Sequence, residues 1–204
     1  CYQLKAIKNS VEINNMKSSH INDGVALTKF LFWIKNHNLK NLSEIDVEKK
    51  LESFRKKNKN YIYPSFNTIA GTGPNGAIIH YRANKKSNRT INKNDLLLCD
   101  SGGQYKFGTT DVTRTICFKK PSKIISEIFT RVLKGHIAVF STNLKKINKG
   151  YQIDKRARYW LKKINLDYGH GTGHGVGYFL NVHEGPQALS KYNNFPIKKG
   201  MILS

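Results

Sequence analysis

The spacing of apolar residues predicts two helices in the first sixty residues of the chain. The first runs from a cap at Ser10 to about residue 37, and its apolar positions fall largely on one face. These positions are Ile13, Met16, Leu27, Phe30, Leu31 and Ile34. The second helix opens at Ser43-Glu-Ile-Asp46, a variant of the capping box, and apolar residues follow at i, i+4 and i+7. Both helices are expected to serve as scaffold.

Short apolar and β-branched runs predict strands after these helices. Residues 61–70 contain Pro64, which favours an edge or broken strand, and a glycine-rich turn at residues 71–76 leads into a predicted strand at residues 77–81. That turn matches the dinucleotide-binding pattern G-x-G-x-x-G, but the pattern requires a helix to follow, so we reject it. Residues 96–99 and 112–118 predict a further pair of strands, joined as a hairpin.

The second half of the chain repeats the order of elements in the first half. Pro121-Ser122 opens a helix predicted through about residue 145, Lys149-Gly150 closes the connection, and a further helix is predicted at residues 154–164. Strands resume with a histidine-rich segment and residues 195–204. The sequence itself does not repeat, but this order of elements is typical of an α+β fold with two related halves and a site between them.

Length and cysteine content bound the class of protein. A chain of 204 residues can bury one substantial core and is predicted to form a single domain. It contains no run of about 18 apolar residues, so no transmembrane helix is expected. The first residue is Cys1 rather than Met, which suggests that the chain is cut there. Three cysteines without a paired spacing fit a reducing compartment, and the cytoplasm is predicted.

The net charge of +22 could indicate a nucleic-acid binder. Lys far exceeds Arg, however, and Asn and Ile are also abundant, which is the set that adenine- and thymine-rich codons specify. Binding surfaces favour Arg for bidentate phosphate contacts, and the lysines here are scattered along the chain. We therefore predict no nucleic-acid and no membrane partner. Nucleic-acid binding remains an alternative and would show a steep dependence on salt.

Two aspartates mark the predicted hairpin. Asp100 ends the first apolar strand, and Asp111 precedes the second strand. A carboxylate that enters a core is costly unless it is paired or binds a cation, so two of them suggest a cation between them. The alternative is that Asp100 opens a turn and Asp111 caps one.

A histidine- and glycine-rich segment supplies the remaining candidate chemistry. His170 and His174 have the i, i+4 spacing of a helical zinc motif, but the glycines between and after them make a poor helix. Alternating glycines suit a strand or loop whose backbone approaches a ligand closely. His183 and Glu184 follow within reach of the same segment. His80, judged by spacing alone, is more often a structural histidine of a core strand.

Three stretches carry a resemblance to a known family: TGPNGAIIHY, DSGGQYKFGTTDVTRT and HGTGHGVGYFLNVHEGP. They resemble the catalytic domain of the Xaa-Pro aminopeptidases (aminopeptidase P) of the pita-bread metallopeptidase family M24. The resemblance runs from Leu4 to the end of the chain, and Phe107 departs from it, where an acidic residue is expected. It implies a pita-bread fold of two pseudo-symmetric halves around a dinuclear metal site. Residues 1–120 would supply the aspartate ligands and residues 121–204 the histidine ligand.

The resemblance also implies the site and the reaction. Asp100, Asp111 and His174 would be metal ligands for two divalent ions, Mn²⁺ first and Zn²⁺ or Co²⁺ as alternatives. A catalytic and substrate-binding role falls to His80, His170 and His183. A hydroxide that bridges the ions would attack the peptide bond before proline, releasing the N-terminal residue of a peptide with proline at position two. A homodimer is possible for the full-length protein.

Other functions share part of this pattern. Prolidase and methionine aminopeptidase carry the same kind of ligand set, and the segment NVHEGP favours aminopeptidase P over both. A non-catalytic binding module with the same fold is a further alternative. The resemblance places two glutamate ligands after residue 204, so the chain is expected to be a fragment truncated at both ends. By itself it is expected to bind at most one ion weakly and to be inactive.

Overall fold

Helices followed by strands occur twice along the chain, and the computed structural model describes every residue from 1 to 204. The helices are α1 (Tyr2–Ala6), α2 (Ser10–Asn36), α3 (Glu44–Arg55), α4 (Lys123–Phe140) and α5 (Gly150–Lys162). The strands are β1 (Tyr61–Pro64), β2 (Ile69–Thr72), β3 (Leu96–Ser101), β4 (Gly103–Tyr105), β5 (Gly108–Thr109), β6 (Val112–Cys117), β7 (Gly173–Gly175) and β8 (Glu184–Leu189). This order of elements agrees with the order predicted from the sequence.

The chain divides into two compact units. The N-terminal unit comprises Val11–Lys120 and Tyr178–Val182. The C-terminal unit comprises Cys1–Ser10, Pro121–Gly177 and His183–Ser204. The chain thus passes into the C-terminal unit at residue 121, while the first ten residues also belong to that unit.

The core of the N-terminal unit joins α2 and α3 to a three-stranded antiparallel sheet of order β2-β3-β6. Its apolar cluster is Leu27, Phe30, Ile34, Leu39, Leu42, Val47, Leu51, Ala70, Ile91, Leu97, Cys99 and Ile116. The capping box of α3 is present, since the Ser43 side chain accepts from the Asp46 amide and the Asp46 carboxylate accepts from the Ser43 amide. A second sheet has the order β1-β4-β5, and its strands β4 and β5 lie between β3 and β6 in the chain. Strands β3 and β6 confirm the strands predicted at residues 96–99 and 112–118.

The strand predicted at residues 77–81 is wrong. The structure has a 3-10 helix, Gly73–Ala77, followed by turns. The buried Glu44 carboxylate accepts hydrogen bonds from the Thr72 amide, the Asn75 side chain and the Tyr81 hydroxyl, so both ends of the segment bend toward one side chain. Ile78 and Ile79 are 51% and 56% exposed. Their apolar character suggested a core strand, but they do not fill the core.

The C-terminal unit is built on the close packing of α4 against α5. A Cβ at Gly135 of α4 would lie 2.4 Å from the Ala157 carbonyl oxygen of α5, so only glycine permits this approach. β7 and β8 pair antiparallel, and α5 and β8 share an apolar cluster of Ile153, Leu189 and Ile197. The buried Lys8 ammonium, just after α1, binds the Glu184 carboxylate at the start of β8. The N-terminal residues are thereby tied to β8.

Three boundaries in this unit differ from the predictions. Helix α4 ends at Phe140 rather than near residue 145, because the Thr142 hydroxyl donates to the Ala138 carbonyl in its last turn at 2.9 Å. Helix α5 begins at Gly150, earlier than predicted, and the Gln152 side chain accepts from the Lys149 amide in front of it. The strand predicted at residues 195–204 is reduced to single bridges at Pro196 and Leu203.

Candidate metal and substrate site

The β3–β6 pair brings Asp100 and Asp111 to the same end of one hairpin. Asp100 lies within β3 and is paired with Thr113 of β6, whose hydroxyl donates to Asp100 Oδ1 at 2.7 Å. Asp111 lies two residues before Thr113, and both carboxylates are half-buried. Asp100 therefore does not open a turn. The register therefore brings both aspartates to one end of the hairpin, and carboxylate oxygens are ligands that hard cations prefer.

A buried hydrogen-bond network contacts β3 at Ser101, next to Asp100. Ser101 follows Asp100 and is fully buried, and its hydroxyl accepts from Arg55 Nη2 at 3.0 Å. Arg55 in turn donates through Nε to Asp23 at 2.6 Å, and the Tyr105 hydroxyl donates to the same carboxylate at 2.8 Å. The sequence analysis missed this network. The only local signal was the position of a charged residue, Asp23, on the apolar face of α2, between Met16 and Leu27.

Cys99 lies beside Asp100 but does not extend the donor set. Burial raises the pKa of the Cys99 thiol to about 12, so the thiol is protonated at neutral pH. A metal ligand has to be the thiolate. The donors that this strand offers are therefore carboxylate oxygens.

His80 occupies an exposed turn of the N-terminal unit. Its backbone is in the left-handed region, with φ of 56°, which is uncommon for a residue with a side chain. The next residue, Tyr81, is buried and its hydroxyl lies 2.7 Å from Glu44 Oε2. The Glu44 carboxylate thus holds the turn that presents the His80 side chain.

His174 and His183 lie together in the C-terminal unit. Their ring centroids are 4.1 Å apart and the rings are nearly perpendicular, at 76°. His174 is the central residue of β7, and its Nδ1 lies 2.9 Å from the Gly175 carbonyl oxygen. A carbonyl can only accept, so this contact fits the tautomer with the proton on Nδ1 and the lone pair on Nε2. A histidine that binds a metal commonly has this arrangement.

Backbone and side-chain atoms of a neighbouring strand lie close to a glycine of this segment. A Cβ at Gly175 would lie 2.3 Å from the Gln187 amide nitrogen and 2.4 Å from the Glu184 carbonyl oxygen, both of β8. The predicted approach of this backbone to a ligand stays a prediction, because the space beside Gly175 is filled by β8 of the protein itself.

His170 lies four residues before His174, on an exposed loop. Its Nδ1 is 2.6 Å from the Gly171 carbonyl oxygen, and its ring centroid is 5.7 Å from that of Tyr168. The His170 backbone carbonyl accepts from Arg158 of α5. Sequence analysis did not single out Arg158. Its spacing of four from Asp154 on a helix was the available signal.

The six predicted site residues are divided between the two units. Asp100, Asp111 and His80 belong to the N-terminal unit, and His170, His174 and His183 belong to the C-terminal unit. Neither unit, taken by itself, holds a group of three or more His, Cys, Asp or Glu side chains that could bind a metal ion. The donors of the predicted ligand set are two carboxylates and one imidazole. These donors suit Mn²⁺, Co²⁺ or Zn²⁺.

None of the helices combines the length and the apolar composition that crossing a membrane requires.

Comparisons with known proteins agree on one family. Residues 14–204 match the model of metallopeptidase family M24. Aminopeptidase P2 of Arabidopsis thaliana is 48% identical over 204 residues, which are 98% of this chain and 29% of that protein. A probable Xaa-Pro aminopeptidase P of Coccidioides posadasii is 46% identical over 98% of this chain and 32% of its own length. The chain thus spans about a third of the length of these curated relatives.

Solved structures show the same similarity. The crystal structure of X-prolyl aminopeptidase from Caenorhabditis elegans, described as a cytosolic enzyme with a di-nuclear active site, has a TM-score of 0.88 and 37% identity. It is matched over 99% of this chain and 33% of its own. The prolidase from Pyrococcus furiosus has a TM-score of 0.85 and 27% identity over 99% of this chain and 57% of its own. The predicted α+β pita-bread fold is confirmed.

Proposed function

Since the chain belongs to metallopeptidase family M24, we propose that the protein carrying it is an Xaa-Pro aminopeptidase. It would release the N-terminal residue from peptides with proline at position two. The observation that carries this proposal is the pair of carboxylates, Asp100 and Asp111, at one end of the β3–β6 hairpin. The identity of 48% and 46% with two proteins named as aminopeptidases P supports the choice of substrate.

In this proposal Asp100, Asp111 and His174 hold divalent metal, with Mn²⁺ as the first candidate and Zn²⁺ or Co²⁺ as alternatives. Such ions would supply the Lewis acidity that hydrolysis of a peptide bond needs at neutral pH. The contact of His174 Nδ1 with the Gly175 carbonyl supports a role for His174 as a metal ligand, because it leaves the lone pair on Nε2. The two carboxylates would supply the negative charge that balances a divalent cation.

The remaining histidines would bind and orient the substrate. His183 packs edge-on against the His174 ring and is exposed, so its imidazole can donate to the carbonyl oxygen of the bond to be cleaved. His80 projects from an exposed turn and would contact the backbone of the peptide. His170, held at its own carbonyl by Arg158, would shape the pocket.

We place the protein in the cytoplasm, and we propose a homodimer for the full-length protein. The three cysteines form no disulfide, and the Caenorhabditis elegans enzyme is described as cytosolic.

Two variants of the full-length protein test the proposal together. Asp111→Asn keeps the shape of the side chain but removes a charge, so it is expected to abolish Mn²⁺-dependent cleavage of an Xaa-Pro peptide and to lower metal content. His183→Ala is expected to keep the metal and to lower kcat on the order of 100-fold, as the loss of a donor to the developing charge would. The measurements are metal content by elemental analysis and peptide cleavage by chromatography.

The outcomes separate the roles. Activity like that of the wild type in Asp111→Asn would refute the metal site. Metal loss in His183→Ala would make His183 a ligand rather than a substrate contact. Unchanged turnover in that variant would make it a structural residue.

A prolidase is the second candidate, because the Pyrococcus furiosus prolidase also shares the fold at a TM-score of 0.85. A prolidase acts on Xaa-Pro dipeptides. Comparing kcat/KM for an Xaa-Pro dipeptide and a longer Xaa-Pro peptide of the same first residue decides between them. A preference for the dipeptide would replace the aminopeptidase proposal.

A further inference from the structure

The residues that carry His170 lack regular secondary structure. Residues 167–172, called the histidine loop below, lie between the end of α5 at Lys162 and the start of β7 at Gly173. Two of them, Gly169 and Gly171, are glycines, which have wide backbone freedom. The loop leads directly into His174. Its conformation therefore depends on contacts from elsewhere.

A single guanidinium makes several of those contacts. Arg158 of α5 is 2% exposed, and it donates to two backbone carbonyls of the loop, that of Tyr168 at 2.8 Å and that of His170. It also donates at 2.8 Å to the Asp167 carboxylate, which begins the loop. One planar group thus holds the histidine loop at three points, and its rigid fork suits this better than a lysine ammonium would.

The fork itself is oriented from α5. Asp154 is fully buried, one turn before Arg158, and its Oδ2 accepts from Arg158 Nε at 2.8 Å. The other oxygen, Oδ1, accepts from the Thr172 hydroxyl at 2.8 Å. Asp154 therefore orients the guanidinium and also anchors the last residue of the histidine loop. The loop is fixed on both sides of His170 and two residues before His174.

Arg158 and Asp167 are both charged at neutral pH. The hydrogen bond from Arg158 lowers the pKa of Asp167 to about 2, and the hydrogen bond to Asp154 raises the pKa of Arg158. Lys191 Nζ lies 3.4 Å from the second oxygen of Asp167 and adds a further positive charge. The contacts are therefore charge-assisted, the stronger class of hydrogen bond.

We propose that Arg158 is a positioning residue that presets the histidine loop, and with it His170 and His174, for substrate and metal. This inference rests on the proposed function. Arg158 acts through the backbone of the loop that carries His170 and leads to His174, since it donates to the Tyr168 and His170 carbonyls. A displacement of about 1 Å in such groups can cost on the order of 100-fold in rate.

The test compares Arg158→Lys with Arg131→Lys in the full-length protein. Arg131 is a matched control, because it also pairs with a carboxylate one turn earlier, Glu127 at 2.7 Å, and donates to one backbone carbonyl, that of Trp160 at 3.1 Å. It makes no contact with the histidine loop. The measurements are kcat and KM on an Xaa-Pro peptide, the Kd for Mn²⁺ alone, and hydrogen exchange of peptides covering residues 167–174.

We expect Arg158→Lys to lower kcat/KM and to weaken Mn²⁺ binding by about 10- to 100-fold each, the range for partners that orient ligands. Hydrogen exchange should become faster in the histidine loop and stay unchanged in α2 and α3. Arg131→Lys should leave all three measurements within about twofold of the wild type. Thr172→Val removes only the hydroxyl contact to Asp154 and should lower kcat/KM about three- to tenfold.

Several results would overturn the inference. One is a kcat/KM of Arg158→Lys within about twofold of the wild type. Another is faster exchange throughout the protein in Arg158→Lys together with full activity in Thr172→Val, which would indicate a general loss of stability. If Arg158→Lys does not fold, the activity and exchange of Thr172→Val decide. If the wild type cleaves no Xaa-Pro peptide, the proposed function fails, while hydrogen exchange and Mn²⁺ affinity still test whether Arg158 positions the histidine loop.

Discussion

Replacing Asp23 by Leu should destabilise the N-terminal unit strongly, because it leaves a buried cation without its partner. Asp23 is fully buried and Arg55 is 1% exposed. The carboxylate accepts from Arg55 Nε at 2.6 Å, from Arg55 Nη2 at 3.0 Å and from the Tyr105 hydroxyl at 2.8 Å. Burial by itself would lower the pKa of Arg55, but the hydrogen bond and charge of Asp23 outweigh it and raise that pKa. Arginine is not deprotonated in proteins, so the guanidinium stays charged when Asp23 is removed.

The expected cost follows from this geometry. Removing one member of a buried ion pair costs about 3–5 kcal/mol. This range includes the cost of leaving the Tyr105 hydroxyl without its acceptor. The double variant Asp23→Leu with Arg55→Met replaces the pair by apolar groups, so it should recover at least about 2 kcal/mol of the single loss. Glu52→Gln is the control, because Glu52 pairs with Lys56 at 2.9 Å on the surface of α3, where a pair contributes about 0.3–0.5 kcal/mol.

Native-state hydrogen exchange measures the effect inside the unit. The amides of Leu97 and Cys99 belong to the central strand β3, and their opening free energy reports the stability of the sheet against which α3 packs. A loss below about 1 kcal/mol in Asp23→Leu would show that water solvates Arg55 in the absence of Asp23. A double variant less stable than the single variant would also refute the reasoning, since it would mean that the pair is not the source of the cost.

Two further predictions concern the C-terminal unit. Gly175→Ala should destabilise it by about 1–3 kcal/mol and weaken metal binding through His174, because the new Cβ would meet Gln187 at 2.3 Å. Gly169→Ala is the control, because the space around its Cβ is open. Equal thermal stability of the two variants would contradict the prediction. Asp167→Asn should be less stable than the wild type at neutral pH. The folded-state pKa of Asp167, about 2, lies below the ordinary value of 3.8, so its contribution to folding stability is present above pH 3.8 and is lost as the pH falls toward 2. Thermal unfolding of the wild type and the variant at several pH values measures this contribution. A stability difference between the two that does not shrink at low pH would contradict the prediction.

Local patterns in the sequence determined most of the helices and the strands that carry the aspartates. The apolar face of α2 and the capping box at Ser43 depend on residues three or four positions apart, which the chain presents whatever surrounds it. The apolar run that became β3 suits a buried strand, and the run that became β6 alternates with β-branched residues, so the placement of Asp100 and Asp111 on one hairpin was predictable. The residue types of the site were recognisable for the same reason, because they lie in short motifs.

The tertiary structure decided what holds those motifs in place. Residues 77–81 looked like a strand, but Glu44, more than thirty residues earlier, draws the segment into a turn. Glu184 appeared as part of a histidine motif, and its buried partner proved to be Lys8, at a separation of 176 residues. Arg158 was one of many basic residues until the fold brought the histidine loop to it. A buried charge needs a partner wherever the chain can supply one, and that partner is set by long-range packing, which periodicity and spacing do not encode.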